Sequence, residues 1–283
     1  MASRKVSVAL WLLAFAVTVL LAVFQRMTGP SHPLRGMLKT GASESVRYRL
    51  PRSNEGRDEL RIRISPPNEH GVAILEWRRW PTEDAFHRQT MTAGADGRLE
   101  TSIPRQPAAG KVEYRILLET DGKVLSIPAA ETVVARFRDS VPAGVLIPHI
   151  LAMFLSMLVS TRALFEVLRP GMPKGRGLVL ASMALLVVGG LMLGPLVQRF
   201  AFGAYWTGWP FGHDLTDNKT LIAFLAWLPA TILAWRGGRT RAAVILGWVV
   251  MMGVFLIPHS ARGSQLDWSA VEPDPRSEMP DTR

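Results

Sequence analysis

Hydrophobic residues along this chain follow two unlike patterns. Five apolar runs, residues 6–24, 144–159, 178–197, 221–235 and 242–258, contain no charged side chain. Each approaches the roughly 20 residues needed to cross a bilayer's hydrocarbon core, so the pattern predicts five transmembrane helices. The fourth run is short and holds Pro229, which allows a kink or a helix that starts nearer Asp217. The third holds Gly190 and Gly194 at the spacing that lets a second helix approach closely.

Between the first two runs the period changes from continuous to alternating. In residues 46–50, 60–64 and 133–138, apolar side chains take turns with arginine, the mark of a strand with one buried face. Residues 72–80, 99–103, 112–118 and 124–127 read as further strands, separated by turn signals such as Ala95-Asp96-Gly97 and Asp121-Gly122. About seven short, closely spaced strands predict a β-sandwich.

The expected fold class is therefore mixed: five transmembrane α-helices with one extramembrane all-β domain inserted between helices 1 and 2. In residue numbers this means an anchor at 1–24, a β-sandwich at 25–142, a four-helix bundle at 143–262 and a disordered tail at 263–283. Residues 6–24 follow Arg4 and Lys5 and could compete as a secretory signal. Such a signal has an apolar core of roughly 7–15 residues and a small-x-small cleavage site, so an uncleaved anchor is expected.

Charge sets the expected orientation. Arg4 and Lys5, then Arg169, Lys174 and Arg176, then Arg236, Arg239 and Arg241 fall on alternate sides of successive runs. The positive-inside rule makes that common side cytoplasmic, leaving the β-domain and the C-terminal tail outside. The formal charge of +10 is spread over strands and short loops, which points to membrane topology and away from a nucleic-acid partner. With no cysteine in the chain, thiolate nucleophiles, disulfides and Cys-ligated metals are excluded.

Residues 91–118, with Gly97-Arg98-Leu99, Ile103-Pro104 and Gly110-Lys111-Val112-Glu113-Tyr114-Arg115-Ile116, resemble the latter half of fibronectin-III-like and immunoglobulin-like modules of bacterial exported proteins. The resemblance implies a sandwich of that type, a spacer or interaction surface, and no activity. The string Pro210-Phe211-Gly212-His213-Asp214-Leu215-Thr216-Asp217-Asn218-Lys219 is similar to one found in bacterial inner-membrane proteins, which implies an inner-membrane, multi-pass protein.

The chemistry-bearing residues gather at one predicted end of the helices. Leu-Ile-Pro-His occurs twice, ending at His149 and at His259, and both rings fall at the outer face of the expected topology. An ionisable ring beside hydrocarbon needs a partner or a purpose. His149, Met153 and Met157 lie at i, i+4 and i+8 on one helical stripe, with Ser156 and Ser160 beside it. Imidazole with thioether suits copper, and imidazole with carboxylate suits zinc, manganese or iron. His213, Asp214 and Asp217 lie in the same outer region, so His149, His213, Asp214, Asp217 and His259 form the candidate metal set. His149 and His259 are also candidate axial ligands for haem b or contacts for a quinone. Packing competes for the methionines, backbone hydrogen bonding for the histidines, and helix N-capping for Asp217.

These readings lead to an expected accessory protein of the bacterial inner membrane, not an enzyme. It would present a periplasmic β-sandwich to a periplasmic or membrane protein partner and hold a transition-metal site at the outer mouth of its helices. An oxidoreductase subunit and a pure scaffold without ligand are the alternatives.

Overall fold

A computed structural model describes residues 2–40, 45–65, 72–120, 122–169, 175–258, 263 and 265–271. The chain divides into two compact units, one of residues 1–32 and 140–264, the other of residues 33–139 and 265–283.

The helical unit is built from α1 (Ala2–Thr28), α2 (Ala143–Leu168), α3 (Arg176–Phe202), α4 (Leu215–Trp235) and α5 (Arg241–Leu256). The first four are long and apolar enough to cross a membrane, while α5 is apolar but only 16 residues long. Helix α4 begins six residues before the apolar run it contains, because Asp214 caps it, and it continues through Pro229. Helix α2 begins at Ala143, so Pro148 lies in its second turn.

Two sets of tertiary bonds define the ends of the bundle. At one end Arg176, opening α3, donates to Trp235 O at the close of α4, 3.3 Å away. At the other, Gln25 near the end of α1 donates to Phe255 O in α5 at 2.7 Å, and His149 in α2 meets Gly189 O in α3. The helices thus alternate in direction. Trp227, wholly buried, donates its indole N–H to Val179 O at 3.1 Å, and α1 reaches the same core through Leu21.

Residues Val187–Leu193 of α3 form a π-helical stretch containing Gly189 and Gly190. The missing side chains let two helices close in: a Cβ on Gly189 would meet Ala152 and Met153 of α2, and one on Gly190 would lie 2.6 Å from Thr220 Cγ2 of α4. Near the opposite end Arg162 and Glu166 form a buried ion pair at 2.6 Å, with the guanidinium over the Trp11 ring. Pairing i to i+4 on one helix is what makes two charges tolerable there.

The other unit contains eleven strands among the described residues: β1 (Leu34–Lys39), β2 (Ser45–Leu50), β3 (Ser53–Glu55), β4 (Leu60–Ile64), β5 (Val72–Trp80), β6 (His87–Thr90), β7 (Thr92–Ala93), β8 (Leu99–Ile103), β9 (Lys111–Thr120), β10 (Lys123–Ile127) and β11 (Val133–Arg138). One sheet runs β1-β2-β4-β8-β7 and is antiparallel. The other runs β3-β11-β9-β5-β6, with β10 on β9 and a parallel β3–β11 pair. Val46, Leu50, Ile62 and Ile103 of the first sheet and Leu75, Trp77, Tyr114 and Phe137 of the second share one buried core. Tyr114 keeps its polar tip satisfied by donating to Pro51 O at 2.7 Å, and burial pushes its phenol well above the usual range.

The seven strands expected from alternation are all present. The four others are short or lie at edges, where apolar alternation is weakest. Strand β1 includes Gly36, an unfavourable strand residue, held because the Tyr48 ring of β2 occupies the space its side chain would need. The tail departs from expectation: residues 265–271 pack on this unit. Leu266 N donates to Ala109 O at 3.2 Å, and Trp268, in a 3-10 turn, lies against Arg79 and Gly110.

Candidate functional site

The end of the bundle where α2 and α4 begin and α3 and α5 finish brings most of the expected residues into one region. Each is held by a bond that the local sequence accounts for. His149 is half-buried on α2, and its Nδ1 donates to Gly189 O at 2.9 Å. That carbonyl belongs to the π-helical stretch, where it also accepts from the backbone N–H of Gly194. Such stretches recur at functional sites.

The capping role expected of Asp217 falls to Asp214. Asp214, not Asp217, is the N-cap of α4, its Oδ1 accepting from Thr216 N at 2.7 Å. Asp217 is turned instead toward the preceding loop, where its Oδ2 accepts from Thr207 N at 2.7 Å and Gly208 N at 3.0 Å. The reason is geometric. Gly212 N and Phe211 N fold back on Gly208 O, both at 2.9 Å, so residues 207 and 208 present their own N–H groups toward the first turn of α4. A Cβ on Gly208 would lie 2.6 Å from Asp217 Cβ, so only glycine permits this approach. Asn218 Oδ1 accepts from Trp209 N at 2.7 Å and extends the clamp.

Lys219 follows these acidic residues in the first turns of α4. It is 2 % exposed, and its Nζ donates to Ile257 O at 2.6 Å. It therefore closes the open C-terminal end of α5, whose last carbonyls lack helical partners. The repeated Leu-Ile-Pro-His string thus has two different settings. In the first copy the histidine is engaged; in the second, Ile257 and Pro258 supply carbonyls to Lys219. His259 itself lies outside the described residues.

Gln198 on α3, which sequence reasoning passed over, donates to Thr207 Oγ1 at 2.6 Å and ties the loop to a third element. A glutamine one residue past an otherwise apolar run was the signal available. Met157 lies in the buried core and Met153 packs against it, its sulfur facing Gly189 and Gly190. Ser156 Oγ donates to Ser182 O at 3.0 Å. His213 is exposed in the loop.

Among the described residues, no group of three or more His, Asp or Glu side chains is placed to hold a metal ion. His149 nevertheless has the arrangement a ligating histidine commonly has, with one ring nitrogen fixed on a backbone carbonyl and Nε2 left as an acceptor. No protein-family model matches the chain, and no curated protein matches it.

The second concentration of ordered polar groups is the outward face of the β5–β9–β6 sheet. Glu76, 1 % exposed, accepts from Arg88 Nε and Arg115 Nε, both at 2.7 Å. One step along, Glu113 accepts from Arg78 Nε at 2.6 Å and Thr132 Oγ1 at 2.7 Å. The Phe86 ring lies beneath two guanidinium groups, Arg78 at 4.6 Å and Arg115 at 5.4 Å. Each arginine is fixed by a carboxylate opposite it in the strand register, so the face is organised before any partner arrives.

Proposed function

We propose that this protein is a multi-pass membrane accessory protein, not an enzyme, that holds a folded β-sandwich at the bilayer surface for a protein partner. The observation that carries the reading is the locked Arg78–Phe86–Arg115 arrangement. Arginine and aromatic side chains are enriched at protein interfaces, and fixing them in advance lowers the entropic cost of binding. The bundle's polar residues, by contrast, are mostly used in ties between its own helices.

The finer architecture belongs to the same proposal. Strand order β2-β4-β8-β7 against β6-β5-β9-β11 corresponds to the A-B-E-D and C′-C-F-G sheets of immunoglobulin and fibronectin-III modules, with Trp77 buried on the strand equivalent to C. Five crossings are supported by the alternating helix directions and by the tail. A chain that leaves the β-domain, passes through α2 to α5 and returns to that domain must cross an even number of times. With Arg4, Lys5, Arg169, Arg176, Arg236, Arg239 and Arg241 on one side, the reading is a bacterial inner-membrane protein with a periplasmic sandwich and tail.

The test is site-directed photo-cross-linking from position 88 in intact membranes. A discrete adduct that disappears on Phe86→Ala, while the same probe at position 61 on the other sheet gives none, is the expected result. No adduct from either position would overturn the reading.

A second reading is favoured by the fixed ring of His149: a transition metal (copper, zinc or iron), haem b or a quinone at Nε2, with His259, His213, Asp214 or Asp217 supplying further contacts. Metal analysis and an optical spectrum of membrane-purified protein test it, comparing wild type with a folded His149→Ala/His259→Ala variant. Stoichiometric metal or a Soret band lost in the variant supports it. Metal-free, colourless protein in both removes it.

A further inference from the structure

The two outward faces of the sandwich differ in how their charge is compensated. On the β5–β9–β6 face each of Arg78, Arg88 and Arg115 has a glutamate partner. On the face of the β1-β2-β4-β8-β7 sheet, Arg35, Lys39, Arg47, Arg49, Arg61 and Arg63 all point outward and are exposed. Only Arg63 has a carboxylate partner among the described residues, Glu100 at 2.8 Å.

Strand register concentrates that charge. Arg35 lies opposite Arg49. Tyr48 of β2 pairs with Ile64 of β4, so Arg49 and Arg63 are the residues next to this pair on neighbouring strands. Arg35 and Arg49 thus face each other directly, and Arg63 on the next strand is opposite Glu100 of β8. Like charges directly opposite each other on neighbouring strands destabilise a sheet, and their persistence calls for an anion. The face is flat and open, with Met37 58 % exposed among the cations, which suits a surface of anions better than one enclosed ligand.

The length of the connections identifies the surface. Five residues separate α1 from β1 and four separate β11 from α2. At full extension these span no more than about 20 Å and about 17 Å. A domain tethered twice so closely to membrane-capable helices stays near the lipid headgroups, where basic clusters are attracted by anionic lipid.

We infer that the outward face of the β1-β2-β4-β8-β7 sheet docks on anionic phospholipid headgroups of the membrane that holds the helices. This goes beyond the display function: one sheet rests on lipid and orients the other, with its locked arginine–phenylalanine face, toward the partner.

The chain has no cysteine, so Met37→Cys gives a single attachment point for a nitroxide on the basic face and Thr90→Cys one on the opposite sheet. The full-length protein is placed in nanodiscs of phosphatidylcholine alone or with phosphatidylglycerol, and collision with a neutral aqueous nickel chelate is measured. Phosphatidylglycerol should lower collision at position 37 severalfold and leave position 90 unchanged. The protection should vanish in about 0.5 M salt, where charges are screened within a few ångström. It should also vanish in an Arg47→Gln/Arg49→Gln/Arg61→Gln variant, whose folding is checked by circular dichroism. Equal collision in both lipids, or protection that survives the triple substitution, overturns the inference. Protection that requires added poly-glutamate in phosphatidylcholine discs does so too, assigning the face to an acidic protein.

Discussion

Trp268 donates its indole N–H to the backbone carbonyl of Trp80 at 2.9 Å, joining a segment beyond the last helix to a strand formed before the second. Arg79 lies over the same indole at 5.3 Å, and Lys111 reaches Gln265 at 3.2 Å. Because this contact closes a path through four helices, it makes a topological prediction. Single thiols introduced by Ser269→Cys and by Glu131→Cys should react with an impermeant reagent from the same side of sealed membranes. A thiol from Arg239→Cys should react only after the membrane is opened. Opposite reactivity of positions 269 and 131 would mean that one of α2 to α5 does not cross.

The contact should also contribute to stability. Trp268→Ala removes one hydrogen bond and a partly buried indole, a loss of about 1–2 kcal/mol. Limited proteolysis should then cut the tail earlier, with the helical unit unaffected.

Asp217 acts as a clamp between the first turn of α4 and the loop before it. Asp217→Ala strands the N–H groups of Thr207 and Gly208, a cost of roughly 3 kcal/mol. Asp217→Asn keeps one acceptor oxygen and should cost about 1 kcal/mol. Thermal unfolding in detergent or nanodiscs gives the order: alanine below asparagine below wild type. Asp214→Ala, losing the helix cap and the contact from Thr207 Oγ1, should cost at least about 1 kcal/mol.

The parts of the fold that were legible in the sequence are those where burial dictates period. Leu60, Ile62 and Ile64 alternate with Arg61 and Arg63, and β4 has the limits their alternation sets. The long charge-free runs likewise became helices. Edge strands such as β6 and β7 were not legible, since His87–Thr90 and Thr92–Ala93 bury little and leave no apolar alternation. At that end of the bundle the polar residues could be picked out from the sequence, but not their partners. Whether Asp214 or Asp217 caps α4 depends on the fold of residues 203–214, and Lys219 finds its acceptors 38 and 39 residues away, just past the end of another helix. Residue type announces that a polar group needs a partner; only tertiary packing decides which.

Acid should weaken the β-domain through Asp84. The hydrogen bond from Arg79 Nε at 2.6 Å, helped by Thr82, holds its carboxyl below the usual range. A carboxyl depressed in the folded state contributes stability that is fully present above its unfolded value of about 3.9 and is lost as pH falls through the folded value. Asp84→Asn should therefore be less stable than wild type near neutrality, and the gap should narrow as pH falls below about 4. A gap that stays constant over that range would mean the ion pair adds nothing.

Gly190 offers the sharpest test of how α3 and α4 meet. A Cβ there would stand 2.6 Å from Thr220 Cγ2, closer than packed carbon atoms approach, so Gly190→Ala must push the helices apart. The expected loss is about 1–2 kcal/mol, although alanine is the better helix former in isolation. Thr220→Ser removes the opposing methyl and retains a hydroxyl able to donate to Thr216 O, as Thr220 Oγ1 does at 3.1 Å. In the double variant most of the loss should be recovered, giving a coupling of about 1 kcal/mol in a double-mutant cycle. Because His149 bonds to the carbonyl of the adjacent Gly189, the single variant should also disturb the His149 ring resonances, and Thr220→Ser should restore them. Additive effects of the two substitutions would mean that the helices do not touch here and that the glycine serves the π-helical turn alone.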